Sequence, residues 1–169
     1  MTIGIDQIGL YSPHYYVDLG ELATARGVDP NKFIIGIGQS EQAVPPSSED
    51  VVTMSADAAQ DFISAIDTSK IGLLIVGTET GIDASKSAAV IAQRLLNLPE
   101  TMRTYEIKQA CYGGTAALMA ARDYVATHPE QTALVFAADI ARYGLESGGE
   151  VTQGAGAVAM LVSANPRIM

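Results

Sequence analysis

The stretch Glu106-Ile107-Lys108-Gln109-Ala110-Cys111-Tyr112-Gly113-Gly114-Thr115 decides the reading of this chain. It joins a short alternating segment, Arg103 to Lys108, to an alanine-rich segment that runs through Leu118, Ala121 and Val125 until Pro129. The first pattern predicts a strand and the second a helix. Cys111 then stands at a helix N-terminus, where unpaired backbone N–H groups and the positive end of the helix dipole stabilise a thiolate. The two glycines after it are poor helix formers, so their use in a first turn points to something approaching the backbone closely. A lone cysteine is most often a small buried apolar residue. The helix start and the glycines favour a nucleophile instead.

Outward from this stretch, buried strands alternate with amphipathic helices. Ile3, Ile5, Ile8 and Leu10 predict an opening strand, and Ala59, Phe62, Ile63 and Ile66 recur at helical spacing after the turn-like Pro45-Pro46-Ser47-Ser48. Ile71 to Val76 is a nearly continuous apolar run, as expected of a strand covered on both faces. Ala88, Ile91, Ala92 and Leu95 mark the inner stripe of a second helix, with Pro99 just beyond its end. Ala133 to Ala138 reads as another buried strand, and Gly156 to Val162 as the last, after the turn Ser147-Gly148-Gly149-Glu150. The order βαβαβαββ predicts an α/β layer with a mixed sheet.

With 169 residues, 48% of them hydrophobic and 17% charged, the chain suits one substantial packed core. No apolar run approaches the roughly 20 residues of a membrane span, and the N-terminus lacks the basic start of a secretory signal, so a soluble cytoplasmic protein is expected. Ten basic against nineteen acidic residues, net −9, argue against nucleic acid as a partner. One cysteine forms no internal disulfide. With His14 and His128 the only histidines, no Cys/His metal cluster is expected.

Two acids share a strand-end placement, which is where open α/β sheets gather ligands. Glu79, in Val76-Gly77-Thr78-Glu79-Thr80, is either a general base or a solvated loop acid or cap. Asp139, after the Leu134 to Ala138 run, either orients a neighbour or caps a turn. Gly154-Ala155-Gly156 enters a strand and lacks the third glycine of a dinucleotide fingerprint; Gly36-Ile37-Gly38 is equally weak.

Four stretches carry a resemblance: Ala110 to Thr115, Val76 to Glu79, Ala137-Ala138-Asp139-Ile140-Ala141-Arg142-Tyr143-Gly144, and Gly148 to Met160. In this order and spacing they resemble the hydroxymethylglutaryl-CoA synthases of the bacterial mevalonate pathway, from Met1 to Met169. The resemblance implies a thiolase-like fold of two similar halves, with residues 1–169 as the first half and the second absent. It also implies Cys111 as the residue acetylated by acetyl-CoA, and Glu79 as the acid/base that takes a proton from the acetyl methyl group. The enolate would attack acetoacetyl-CoA, and hydrolysis would free the product. Backbone N–H groups at the Cys111 helix start could steady the thioester oxyanion. Asp29 and Pro30, in Val28-Asp29-Pro30-Asn31-Lys32-Phe33, and Thr152 would lie against the CoA ester, with Tyr143, Gly154 and Asp139 as further binding residues. No cofactor or metal is implied beyond the two CoA thioesters.

The sequence also departs from the family. Its catalytic histidine belongs to the second half, and neither His14 nor His128 lies in a matching motif, so both read as structural or surface residues. Val151 stands where proline is usual. The implied partners are the second half and, as thiolase-like enzymes are usually dimers, a second copy. The alternatives are a thiolase or ketoacyl synthase, which needs no acid at the Glu79 position, and a non-catalytic half-domain that binds CoA or a partner protein.

Overall fold

The computed structural model describes residues 2–168. Its main sheet is built from β1 (Ile3–Tyr11), β4 (Ile71–Gly77), β5 (Arg103–Ile107), β6 (Thr132–Ile140) and β7 (Ala155–Ala164), in the order β1-β7-β6-β4-β5. β4 pairs parallel with β5 and β6, while β7 pairs antiparallel with β6 and β1, so the sheet is mixed as expected. Helices α3 (Val51–Ile63), α4 (Ala88–Leu95) and α5 (Tyr112–Thr127) are the predicted crossovers.

Strand alternation divides the core in two. Leu74 and Val76 of β4, with Leu134 and Phe136 of β6, face α3 and α4. Leu73, Ile75, Ala133 and Val135 face Ala117, Ala121 and Val125 of α5. The continuous apolar runs of β4 and β6 therefore fill both faces at once. Phe136 is fully buried, and truncation of such a residue to alanine costs about 3–5 kcal/mol. Asp50 starts α3 by accepting the N–H groups of Val52 and Thr53, while Thr53 Oγ1 accepts the Asp50 N–H.

The faces are unequally covered. Gly9 of β1 lies against α3, where a Cβ would overlap the Ala58 carbonyl. Its neighbours Ile8 and Leu10 therefore project from the α5 side, where they are 50% and 68% exposed. Among the described residues α5 packs on that side and α3 and α4 on the other.

The structure corrects several expectations. Residues 15–44 form an excursion that the apolar pattern did not reveal: β2 (Tyr15–Asp18), α1 (Leu19–Ala25), α2 (Asn31–Ile34) and β3 (Glu41–Val44), with β2 and β3 paired antiparallel. Asp18 caps α1 by accepting the Glu21 N–H at 2.9 Å. Ile66 lies beyond the end of α3. Leu95 points outward, and the inner face of α4 is Ala88, Ala89 and Ala92, small residues that let this short helix sit close to α3 and the sheet.

Candidate active site

The carboxyl ends of β4 and β6 and the start of α5 converge. Cys111 is the N-cap residue of α5 and is exposed, which removes the core-packing reading of the thiol. Ala110 before it has φ 45°, the left-handed region that costs an L-residue energy, so the chain turns sharply between β5 and α5. The glycines after the cysteine are explained by the chain itself. A Cβ on Gly77, the last residue of β4, would lie 2.5 Å from the Gly113 carbonyl and the Gly114 nitrogen, and one on Gly114 would lie 2.8 Å from Ala137 Cβ. The body that approaches the backbone is thus the end of β4 and β6, which seats the first turn of α5 on the sheet.

That turn also narrows the oxyanion expectation. The Tyr112 N–H donates to the Gln109 carbonyl at 3.1 Å and the Gly113 N–H to the Ala110 carbonyl at 3.0 Å. Both amides are engaged internally, which takes them from the donors open to a thioester oxygen.

Glu79 is half-buried, one residue past the continuation of β4, where the Thr78 N–H still bonds the Ile107 carbonyl at 3.1 Å. The Tyr143 hydroxyl donates to Glu79 Oε1 at 3.2 Å. Asp139 organises the loop: its Oδ1 accepts Thr78 Oγ1 at 2.8 Å, the Glu79 N–H at 2.8 Å, the Thr80 N–H at 3.1 Å and Thr80 Oγ1 at 2.9 Å. The Ile140 N–H closes the network by donating to Thr80 Oγ1 at 3.0 Å. Asp139 meets both of its sequence readings at once, since it caps the 78–80 turn and in doing so fixes the backbone of Glu79. Tyr143 titrates above the ordinary phenol range. Lost hydration is the main cause, followed by the Glu79 charge and hydrogen bond and the Cys111 charge, while a hydrogen bond with Gln153 opposes them.

A cavity of about 430 Å³ opens beside this cluster, lined among others by Asp139, Gln153, Gly154 and Ala43. Gly154 lies tight against β3, since a Cβ there would be 2.9 Å from the Ala43 carbonyl oxygen. Asp29 is exposed and accepts the Asn31 N–H at 3.0 Å, which with Pro30 opens α2. Thr152 is exposed and donates to the Gly149 carbonyl at 2.9 Å. These residues flank a second cavity, of about 360 Å³, between Val28 and Phe33 on one side and Ser147 and Val151 on the other. His14 is exposed. His128 stacks on Tyr124 at the far end of α5, with the 16 residues of that helix, about 24 Å, between it and Cys111. Neither histidine serves the cluster.

Residues 1–167 match the family model described as hydroxymethylglutaryl-coenzyme A synthase N terminal. The chain belongs to the hydroxymethylglutaryl-CoA synthase family. It is 56% identical over 169 residues to the hydroxymethylglutaryl-CoA synthase of Enterococcus faecalis, covering 100% of this chain and 44% of that protein. The solved structure of MvaS in complex with 3-hydroxy-3-methylglutaryl coenzyme A superposes with a TM-score of 0.91 at 51% identity, over 97% of this chain and 40% of that one. An HMG-CoA synthase complexed with CoA gives 0.95 at 45% identity, over 99% and 43%. The fold is thus the thiolase-like one expected, and the chain spans less than half the length of these relatives. No helix among the described residues is long and apolar enough to cross a membrane.

Within this hydroxymethylglutaryl-CoA synthase fold, Thr78, Thr80 and Gln153 join the site although no sequence reading singled them out. The threonines flank Glu79 directly, and a hydroxyl on each side of a strand-end acid was the available signal. Gln153 carried none, because only the folding of the chain brings it beside Asp139 in the lining of the cavity.

Proposed function

We propose that this chain supplies the acetylation and enolisation machinery of a hydroxymethylglutaryl-CoA synthase. Cys111 Sγ attacks the acetyl-CoA carbonyl, the carbon–sulfur bond to CoA breaks, and CoA leaves as its thiol. Glu79 then removes a proton from the acetyl-thioester methyl group, and the enolate carbon adds to the ketone of acetoacetyl-CoA, whose oxygen takes up a proton to become the tertiary hydroxyl. Water cleaves the remaining bond to Cys111, giving hydroxymethylglutaryl-CoA and the free thiol. The Asp139 network holds the Glu79 backbone still, and the Tyr143 hydroxyl holds one Glu79 carboxylate oxygen in place. The observation that supports this reading is that the first turn of α5, which Cys111 starts, is seated on Gly77, two residues before Glu79, to which Tyr143 is hydrogen-bonded.

The same reading assigns the histidine that handles acetoacetyl-CoA to a second half, packed over the α5 side of the sheet where Ile8 and Leu10 are open. The complete enzyme is a cytoplasmic homodimer of the mevalonate pathway. Mass spectrometry after incubation with acetyl-CoA tests the first step: an acetyl adduct on Cys111 is expected. Failure of Cys111 to become acetylated in the complete enzyme would overturn the proposal in favour of a non-catalytic half-domain. Condensation that needs no Glu79 would favour a thiolase or ketoacyl synthase.

A further inference from the structure

One ion pair outside the cysteine cluster ties together the two segments proposed to hold the CoA ester. Arg26, the residue that ends α1, forks onto Glu150, with Nε donating to Oε2 at 3.1 Å and Nη2 to Oε1 at 2.6 Å, across 124 positions of sequence. The side chains are 28% and 12% exposed. Glu150 Oε2 also accepts the Glu146 N–H at 2.8 Å, and Glu146 itself holds φ 62°, a left-handed turn that a non-glycine residue keeps only when its surroundings hold it. Gln42 of β3 donates to the Glu150 carbonyl at 2.9 Å and also to the Gln153 carbonyl.

We infer that Arg26 and Glu150 are a positioning pair that sets the spacing of the two CoA-facing segments and thereby the affinity for the thioester. The inference rests on the synthase reading. From Arg26 the chain passes through Gly27, at φ 66°, and Val28 into Asp29 and Pro30; from Glu150 it passes through Val151 into Thr152 and Gly154. Arg26, Val28 and Phe33 form one wall of the cavity of about 360 Å³, and Ser147, Glu150 and Val151 the other, so the ion pair bridges it. A guanidinium stays charged and matches a carboxylate with two parallel donors, which fixes angle as well as distance. Of the other ion pairs among the described residues, Arg94–Glu100 and Arg122–Asp123 are far more exposed, at 83% and 88% and at 68% and 77%, and the fork of Arg167 on Asp6 does not line this cavity.

Neither Arg26 nor Glu150 lines the cavity beside Asp139, so the pair acts through the segments and not on the reacting atoms. Loss of the fork leaves the Glu150 carboxylate holding only the Glu146 amide, and the 143–152 loop loses that side-chain tie to the α1–α2 segment. Such a change weakens binding of ground state and transition state together, which raises KM and spares kcat.

The test uses the complete enzyme that carries this chain, with Arg26→Gln, Glu150→Gln, the double variant and, as the mildest change, Arg26→Lys. Each glutamine variant should raise KM for acetyl-CoA about tenfold with kcat within about twofold. The double variant should be no worse than either single one, because one interaction is lost once. Arg26→Lys should recover part of the loss. Hydrogen exchange of the 143–152 amides should quicken in Arg26→Gln while α5 and β6 stay unchanged. Unchanged KM, a fall confined to kcat, or additive losses would overturn the inference. Should the unsubstituted enzyme fail to acetylate Cys111, the synthase reading falls and exchange alone decides: faster exchange at 143–152 supports the pair, and unchanged exchange rejects it.

Discussion

Asp139 Oδ1 accepts the backbone N–H of Glu79 at 2.8 Å, although the two residues stand 60 positions apart. The contact joins the ends of parallel neighbours β4 and β6, so the acid is placed by sheet pairing and not by its own loop. Asp139→Asn keeps the shape but weakens every donor that now meets a neutral oxygen. Condensation by the complete enzyme should fall about 10–100-fold, as small misplacement of a reacting group does. Cys111 acetylation should change little. Steady-state rates beside the yield of acetyl-enzyme check both halves of this expectation.

Glu79→Gln retains size and can still accept from Tyr143, but it cannot take a proton. Acetyl-Cys111 should form while carbon–carbon bond formation drops by ~10²–10⁴-fold, the usual contribution of a general acid/base. Cys111→Ser should fail at the first step, since its hydroxyl has no dedicated base. Intact-protein mass and product chromatography separate the two defects; normal condensation by Glu79→Gln would demote Glu79 to a loop carboxylate.

Gly77→Ala tests the seat of the nucleophile. The added methyl would lie 2.5 Å from backbone atoms of Gly113 and Gly114, which cannot swing aside as a side-chain tip does. A loss of about 1–3 kcal/mol is expected from such overpacking, read from denaturant midpoints. Acetylation should slow more than global unfolding explains, because the start of α5 must lift off the sheet.

Glu150 titrates below the ordinary glutamate range, chiefly through its hydrogen bond from Arg26 and then the Glu146 amide. Asp67 and Asp83 are lowered likewise, by bonds from Ser69 and by the amides of Lys86 and Ser85. A depressed folded value means that the stabilisation is present above the unfolded value, about 4.3 for glutamate, and is lost as pH falls through the folded one. Urea midpoints should therefore decline below about pH 4.3, and Arg26→Gln should flatten that decline.

His128→Ala should leave acetylation and condensation unchanged, because His128 lies at the opposite end of α5 from Cys111 and packs on Tyr124. Loss of activity in this variant would mean that the site extends along the helix.

The sequence by itself determined the strand and helix order of the main layer, because β4, β6 and β7 are apolar enough to fill both faces of a sheet and α3 and α5 carry a helical stripe. It also singled out Cys111, through a helix start and two glycines, and Glu79 and Asp139, through strand ends. Residues 15–44 stayed illegible, since short half-exposed elements such as β2, α2 and β3 leave no apolar period to read. Only the tertiary structure decided that the glycines serve the packing of α5 on β4 and β6, that Asp139 holds Glu79, and that Arg26 meets Glu150. The reason is physical: periodicity reports which face of one element is buried, whereas hydrogen bonds and ion pairs across 60 to 124 residues depend on where sheet pairing brings the chain back.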